Sequence, residues 1–287
     1  MDKVTEGLQE RVNAQPMVLK WLPETNPETI ADGIYEGMSD ENYSKIDAIR
    51  ATELKTFVNY KGDTFPGKYY AKYIFKPFQV MLDEMTGDKD VFVIGNKVHE
   101  RTLFGTTDFS THPALFKEGD KKRIKNRQIV ELCAASLLAR PTFRNLLEGS
   151  YRELVVVVTC PITGLRLKAK MDIVDSDLQT VTDIKTTGNL ADLLTPAEWK
   201  SGFLIYGYPI QEQHYLYVAN LGFGDPLFGA ERKMIFAAVE KGKDYDVEFL
   251  QTKADKREGY KEIYFAALKE LANRIKQDNW FDEIKKI

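Results

Sequence analysis

The fold is decided by residues 153–186, which read ELVVVVTCPITGLRLKAKMDIVDSDLQTVTDIKT. Residues 153–159 are rich in β-branched side chains, and residues 165–174 and 180–186 are two further strand-like segments. Turn-forming residues separate the three segments, PITG at 161–164 and DSD at 175–177. Because consecutive strands joined by short turns usually pair with each other, the sequence predicts a three-stranded antiparallel meander.

Helices and further strands are predicted on both sides of this meander. Apolar spacing indicates a short helical region within 40–60, helices over 92–103, 121–138, 209–218 and 256–276, and strands over 233–240 and 245–250. The sequence therefore predicts an α/β fold, a central mixed sheet with an antiparallel meander flanked by helices. Residues 1–34 contain three prolines and little periodicity, so we expect an irregular N-terminal arm followed by a single domain over residues 35–287.

The composition is that of an ordinary folded protein. Of the 287 residues, 43% are hydrophobic and 29% are charged, a balance that disfavours disorder. No apolar run approaches the roughly 20 residues of a membrane-spanning helix, and no basic segment followed by an apolar one opens the chain. We therefore expect a cytoplasmic protein without membrane contact. Because the net charge is −3, a surface for nucleic acid would need Lys and Arg concentrated locally.

The two cysteines, Cys133 and Cys160, are too few for a disulfide framework or a four-cysteine metal site. In a cytoplasmic protein we expect two reduced and mostly buried thiols. A single pairing between them is the alternative.

Three charged residues on neighbouring strands form the candidate site. Asp172 lies near the end of the second predicted strand, and Asp183 and Lys185 lie on the third. Because side chains alternate along a strand, Asp183 and Lys185 point to one side and Ile184 points to the core. A hairpin closed near Ser176 brings Asp172 close to Asp183. Two carboxylates beside an ammonium can hold Mg²⁺ and leave positions for water and phosphate oxygens, which predicts phosphodiester hydrolysis.

The Asp…Asp-x-Lys pattern alone is also typical of an exposed strand pair joined by salt bridges. Four further residues favour hydrolysis. Gln211 and Tyr215 share one face of the helix after the meander. His99 follows the apolar stripe of the helix over 92–103, and Glu153 opens the first meander strand. Each has an ordinary structural explanation by itself, and it is their joint occurrence in this order that indicates a nuclease.

This order of residues resembles the PD-(D/E)xK nuclease superfamily, which has a restriction-endonuclease-like core. More narrowly, it is similar to the phage and prophage exonuclease VIII (RecE-type) branch, with relatives in lambda exonuclease and the RecB nuclease domain. The resemblance is carried by TGLRLKAKMD at 163–172, VTDIKTT at 181–187, GNKVH at 95–99 and AVEK at 238–241. It spans roughly residues 35–280, so the predicted single domain would be a nuclease domain. Met171 stands where the superfamily name has proline, a position that varies.

The resemblance implies a set of ligands for a catalytic Mg²⁺, for which Mn²⁺ would substitute. Asp172 and Asp183 would bind the metal, helped by the backbone carbonyl of Ile184 and by His99. Relatives with an iron–sulfur cluster carry four cysteines, which this chain lacks, so no such cluster is expected.

The resemblance also implies catalytic roles. Lys185 would orient or activate the attacking water. Gln211 and Tyr215 would position the scissile backbone or the lysine. Glu153 is a candidate for a second metal site.

A nuclease that acts on duplex DNA also needs side chains that contact phosphates. We expect them near residue 50, where a helix would offer backbone amides to a terminal phosphate, and at the basic start of the helix over 121–138. A basic, solvated helix start is the alternative for 121–127. The candidate residues are Arg50, Thr52, Lys121, Lys122, Arg123, Lys125 and Arg127.

The leading hypothesis is a metal-dependent exonuclease that acts on linear duplex DNA ends. The resemblance implies 5′→3′ polarity, phage-type recombination or repair, a homo-oligomeric ring of three or four subunits, and a single-strand annealing protein as partner. Two alternatives stay open. One is an endonuclease of the same superfamily, and the other is a non-catalytic DNA-binding or annealing module whose acidic cluster is structural.

Overall fold

A mixed sheet forms the centre of the protein. The computed structural model describes residues 18–20, 25–74, 89–116, 121–195, 201–224, 231–242 and 244–281. Within them, seven strands lie side by side in chain order. The strands are β1 (Val18–Lys20), β2 (Gly33–Glu36), β3 (Tyr151–Thr159), β4 (Arg166–Val174), β5 (Thr180–Thr187), β6 (Lys233–Glu240) and β7 (Val247–Leu250).

The pairing of the strands confirms the predicted meander and the mixed character of the sheet. β3, β4 and β5 pair antiparallel in succession. β1 with β2 and β5 with β6 pair parallel, whereas β2 with β3 and β6 with β7 pair antiparallel. The parallel β5–β6 pair needs a crossover, which the helices between the two strands supply.

Helices surround the sheet in the order expected from the sequence. The helices predicted over 92–103, 121–138, 209–218 and 256–276 are present with ends shifted by a few residues. The described α-helices are α1 (Asp40–Lys45), α2 (Ala51–Phe57), α3 (Pro66–Tyr69), α4 (Lys89–Phe104), α5 (Pro113–Phe116), α6 (Lys121–Ala139), α7 (Pro141–Leu147), α8 (Leu190–Leu194), α9 (Gly202–Ile205), α10 (Tyr208–Phe223) and α11 (Ala254–Gln277).

Each face of the sheet has its own buried apolar core. On one face, α2, α10 and α11 pack against the meander, with Leu154 and Leu268 in the same cluster. On the other face, α4, α6 and α7 cover the sheet, and Val98 and Val130 cluster with Ile184. Both faces of the sheet are therefore covered by helices, and some polar side chains, such as Lys168 and Asp183, are buried inside the central strands.

The predicted irregular arm is wrong for part of its length. β1 and the start of β2 lie within residues 1–34, and β2 pairs with β3. These strands have three and four residues, too few to show an alternating pattern in the sequence. Residues 1–17 and 21–24 lie outside the described residues. The extent of the single domain stays a prediction.

Other short elements were also not predicted. The helical region within 40–60 is two helices, α1 and α2, and the backbone amide of Ile49 between them bonds to the carbonyl of Arg166 on β4. α3, α5, α7, α8 and α9 have four to seven residues each, less than two turns, so no apolar periodicity marks them.

The cysteine prediction is confirmed, since Cys133 and Cys160 are both buried and free. Burial raises the pKa of the Cys133 thiol to about 12, which keeps it protonated and unreactive. Among the helices in the described ranges, none combines the length and the apolar character needed to cross a membrane.

A glycine allows α10 to lie close to β3. A Cβ atom at Gly222 would lie 2.5 Å from Cγ1 of Val156, which is fully buried. We expect Gly222→Ala to lower the free energy of unfolding by about 1–3 kcal/mol, because the added methyl overpacks the helix–sheet contact. Urea denaturation measures this change.

Gly259 on α11 is the matched control, because a Cβ there meets open space. Gly259→Ala should raise the free energy of unfolding by about 0.5–1 kcal/mol, since alanine favours a helix over glycine. Equal effects of the two substitutions would contradict the close approach at Gly222.

Candidate active site

Asp183 and Lys185 lie on the same side of β5. Lys185 Nζ is 2.5 Å from Asp183 Oδ2. Ile184 between them is 1% exposed and belongs to the core on the opposite face. The alternation predicted for this strand is therefore confirmed, and it places an ammonium against a carboxylate at one point of the sheet.

Asp172 lies where β4 and β5 stop pairing. Their register runs Val174↔Val181 and Ile173↔Thr182, and one further step sets Asp172 opposite Asp183. At that step the Asp172 side chain, not a backbone carbonyl of β4, accepts a hydrogen bond from β5: the Ile184 amide donates to its Oδ2 at 2.7 Å. Burial opposes ionisation, but His99 and the Ile184 amide hold the pKa of Asp172 below its ordinary value.

His99 reaches the site from α4. Its Nδ1 lies 3.4 Å from Asp172 Oδ2. Burial of the ring opposes protonation, but the Asp172 carboxylate outweighs this and raises the pKa of His99. Gly95, one turn earlier, brings α4 close to β5, because a Cβ there would lie 3.0 Å from Thr186 Oγ1. In the GNKVH motif, the glycine is therefore explained by close packing of α4 against β5, and the histidine by its contact with Asp172.

Gln211 and Tyr215 share one face of α10, as predicted. Gln211 Nε2 donates to Asp183 Oδ1 at 2.8 Å, and burial raises the pKa of Tyr215 well above its ordinary value. Gln211 and Lys185 therefore contact different carboxylate oxygens of Asp183, Gln211 at Oδ1 and Lys185 at Oδ2.

Glu153 faces the same cavity as Asp172 but is paired with a lysine. It lies two residues inside β3, which begins at Tyr151, and the flanking pairs Arg152↔Ile173 and Leu154↔Met171 set it opposite Asp172. Lys170 Nζ lies 2.9 Å from Glu153 Oε2 and 2.6 Å from Asp40 Oδ1. Glu153, Asp172 and His99 line a cavity of about 340 Å³. A metal role for Glu153 would therefore compete with the Lys170 ion pair.

Two residues that the sequence did not single out complete the cluster. Lys55 on α2 donates to Gln211 Oε1 at 3.1 Å. Tyr208 is the first residue of α10, and both lysines lie near its ring. Lys185 Nζ is 5.3 Å and Lys55 Nζ 5.6 Å from the ring centroid. Burial lowers the pKa of Lys55 to about 8, and Lys185 acts in the same direction. Lys55 could not be predicted from the sequence, because it lies on a short helix and is 156 positions from its partner Gln211.

The residues predicted to bind DNA fall into two groups. Arg50 caps the start of α2 and Thr52 is exposed in its first turn, within five residues of Lys55. Lys121 and Lys125 are exposed at the start of α6, and the side chains of Lys122 and Arg123 lie outside the described residues. Arg127 differs from its neighbours, because its Nε donates to the Phe116 carbonyl at 2.6 Å. Among the described side chains, none of this α6 group contacts the Asp172–Asp183 cluster.

The donor set at β4 and β5 suits a divalent metal. Within the described ranges, no group of three or more His, Cys, Asp and Glu side chains is placed so that it could hold a metal ion. Asp183 Oδ2 is nevertheless buried and has no hydrogen-bond partner among the described residues, although Lys185 Nζ lies 2.5 Å away. Burial and the neighbouring Asp172 raise the pKa of Asp183 above its ordinary value. A hard cation between the two carboxylates would relieve both features.

Comparisons with known proteins agree with this geometry. A family model described as "PDDEXK-like domain of unknown function (DUF3799)" matches residues 78–280. A solved structure of a "Putative exonuclease" from Eubacterium rectale is similar over 87% of this chain and 91% of that chain, with a TM-score of 0.61. At 15% identity this likeness shows a shared fold alone.

Two further comparisons add no functional information. The solved structure of SSO0001 covers 93% of this chain and 86% of its own at 13% identity, but its TM-score of 0.37 is too low to bear on the fold. No curated protein matches the chain. Because the family model matches well over half of the 287 residues, this protein belongs to the PDDEXK-like family.

Proposed function

We propose that this protein is a divalent-metal-dependent deoxyribonuclease that removes nucleotides from the 5′ ends of linear duplex DNA. The observation that carries this proposal is the convergence of Asp172, Asp183 and Lys185 where β4 and β5 separate. Membership in a PDDEXK-like family supports it, because two acidic residues and a lysine are the residues for which such families are named.

In the proposed mechanism, Asp172 and Asp183, with the Ile184 carbonyl and His99, would hold Mg²⁺ or Mn²⁺. The bound metal would lower the pKa of a water and neutralise charge on the phosphate. Lys185 then holds the attacking water through its ammonium, which Asp183 orients at 2.5 Å.

Side chains around the ligands keep them in place. The Ile184 amide fixes Asp172, and the Gln211 amide group fixes Asp183. Tyr215, on the same face of α10 as Gln211, is proposed to position the scissile backbone or Lys185. Glu153 is proposed for a second metal only in exchange for its ion pair with Lys170.

The exonuclease activity and its polarity are proposed from likeness. The residue pattern resembles the exonuclease VIII branch, and the similar protein of Eubacterium rectale carries the name exonuclease. Arg50 and Thr52 lie on the helix that also carries Lys55, so a terminal phosphate bound there would be near the site. The basic start of α6 would contact the duplex farther from the cut.

Digestion of labelled DNA tests the proposal. The substrates are a linear duplex labelled at the 5′ or the 3′ end and a closed circle of the same sequence, each with Mg²⁺, with Mn²⁺ and with EDTA. We expect early release of the 5′ label as short products, an intact circle, and no cleavage in EDTA. A nicked circle would indicate an endonuclease, and binding without cleavage under every condition would indicate a non-catalytic module.

The assembly and the biological role are also proposed from the resemblance. We propose a ring of three or four subunits that acts in phage-type recombination or repair with a single-strand annealing protein. Light scattering on the purified protein measures the mass of the assembly, and a monomer would contradict the ring.

A further inference from the structure

We infer that Lys55 is a positioning residue that sets the direction of the Gln211 side-chain amide and, through it, the Asp183 carboxylate. Lys55 Nζ donates to Gln211 Oε1 at 3.1 Å, and Gln211 Nε2 donates to Asp183 Oδ1 at 2.8 Å. This role presupposes the proposed nuclease activity and adds a residue to it.

The hydrogen bonds from Lys55 through Gln211 to Asp183 can run in only one donor-to-acceptor direction. An ammonium can only donate hydrogen bonds and a carboxylate can only accept them, whereas a primary amide has one side of each kind. Gln211 lies between Lys55 and Asp183 and is 4% exposed, so water does not compete for its amide. The lysine therefore holds the oxygen of the amide and leaves the NH₂ group for Asp183.

The backbone at the start of α10 makes room for the lysine. Gly207 has a φ of +67°, and a Cβ there would lie 3.0 Å from both Cγ and Cδ of Lys55. The stem of Lys55 thus passes over a glycine, and its ammonium lies near the ring of Tyr208 beside Lys185. Placing a second ammonium near Lys185 is electrostatically unfavourable. That the fold nevertheless makes room for the Lys55 side chain here indicates that its charge has a role in the site.

The consequence for the site concerns the second oxygen of Asp183. With Oδ1 held by Gln211, Oδ2 faces the Lys185 ammonium and has no hydrogen-bond partner among the described residues. That oxygen is the one available to a metal. Without Lys55, the Gln211 carbonyl would be buried with no donor, and its amide would turn away from the arrangement that fixes Asp183.

Steady-state kinetics on a linear duplex tests the inference with five variants. We expect Lys55→Met to lower kcat about 10–100-fold with KM nearly unchanged, the usual effect of losing a group that orients a metal ligand. Lys55→Arg should recover most of kcat, because it restores a donor on a similar stem. Lys55→Met combined with Gln211→Leu should be no slower than Gln211→Leu alone, since both act through one amide. Lys61→Met, at an exposed lysine, should match the wild type.

Two results would overturn the positioning role. Losses in the double variant that multiply would show independent action, and a raised KM with unchanged kcat would show that Lys55 binds DNA directly. Circular dichroism checks that each variant is folded, and Lys55→Gln replaces Lys55→Met if the latter does not fold.

A measurement without activity separates this inference from the proposed function. If the wild type cleaves no DNA with any metal, the proposed function fails. The Gln211 amide is then followed by ¹⁵N NMR, in which its signal is the one missing from Gln211→Leu. A signal that shifts in Lys55→Met supports the contact, and an unchanged signal overturns it.

Discussion

The Asp183→Asn variant is expected to cleave linear duplex DNA about a thousandfold more slowly than the wild type. The substitution keeps the shape of the side chain but removes one of two charges available to the metal. It also leaves Lys185 without the carboxylate that lies 2.5 Å away. A bound metal supplies several kcal/mol of transition-state stabilisation, and each 1.4 kcal/mol or so corresponds to a tenfold change in rate, so losing about 4 kcal/mol of it slows cleavage about a thousandfold.

Single-turnover digestion with saturating Mg²⁺ measures this loss. Lys185→Met should show a loss of similar size, because the water is then no longer oriented. Asp177→Asn is the matched control, since Asp177 is an exposed aspartate in the turn between β4 and β5. A folded Asp183→Asn protein that keeps more than a tenth of the wild-type rate would contradict the assigned role.

Acid is expected to destabilise the fold through His214, which lies inside α10. Its ring is fully buried, with Nε2 3.0 Å from the Lys168 carbonyl and Nδ1 3.3 Å from the Tyr264 hydroxyl. Burial lowers the pKa of His214 to about 4 from the ordinary value of 6.5. The folded state therefore excludes a proton that the unfolded chain takes up.

The sign of the effect follows from this difference. Above pH 6.5 the imidazole is neutral in both states, and as the pH falls from 6.5 to 4 only the unfolded state gains the proton. Stability is lost over this window, by about 3 kcal/mol at its lower end, since one pKa unit corresponds to about 1.4 kcal/mol.

Urea denaturation at pH 7 and pH 4 measures this loss. The His214→Gln variant should lose about 3 kcal/mol less than the wild type between the two pH values, because its amide does not titrate. His112→Gln, at an exposed histidine, should behave as the wild type. Equal losses in all three proteins would show that His214 is not responsible.

The parts of the fold that could be predicted are those with a long, regular pattern. The strands of the meander and β6 show alternation or β-branched runs over seven or more residues, and α4, α6, α10 and α11 are helices of four turns or more. β1, β2 and the short helices lack that length. Their structure depends on the elements they pack against, which a local pattern does not record.

The candidate site divides in the same way. Asp172, Asp183 and Lys185 could be placed together because a short turn fixes the register of β4 and β5, and one register step sets the aspartates opposite each other. Lys55 and Tyr208 could not, because their positions depend on how α2 and α10 pack together. The ion pair of Glu153 with Lys170 was also missed; Glu153 has a φ of +51°, a departure from regular strand geometry that its sequence does not mark.

Anomalous diffraction from crystals soaked in MnCl₂ tests the central claim most directly, because it locates the metal without relying on activity. We predict one strong peak bonded to the carboxylates of both Asp172 and Asp183, on the side where Lys185 lies. The same soak of Asp183→Asn crystals should lose that peak. A strong peak elsewhere, with none between these two aspartates in the wild type, would contradict the proposed metal site.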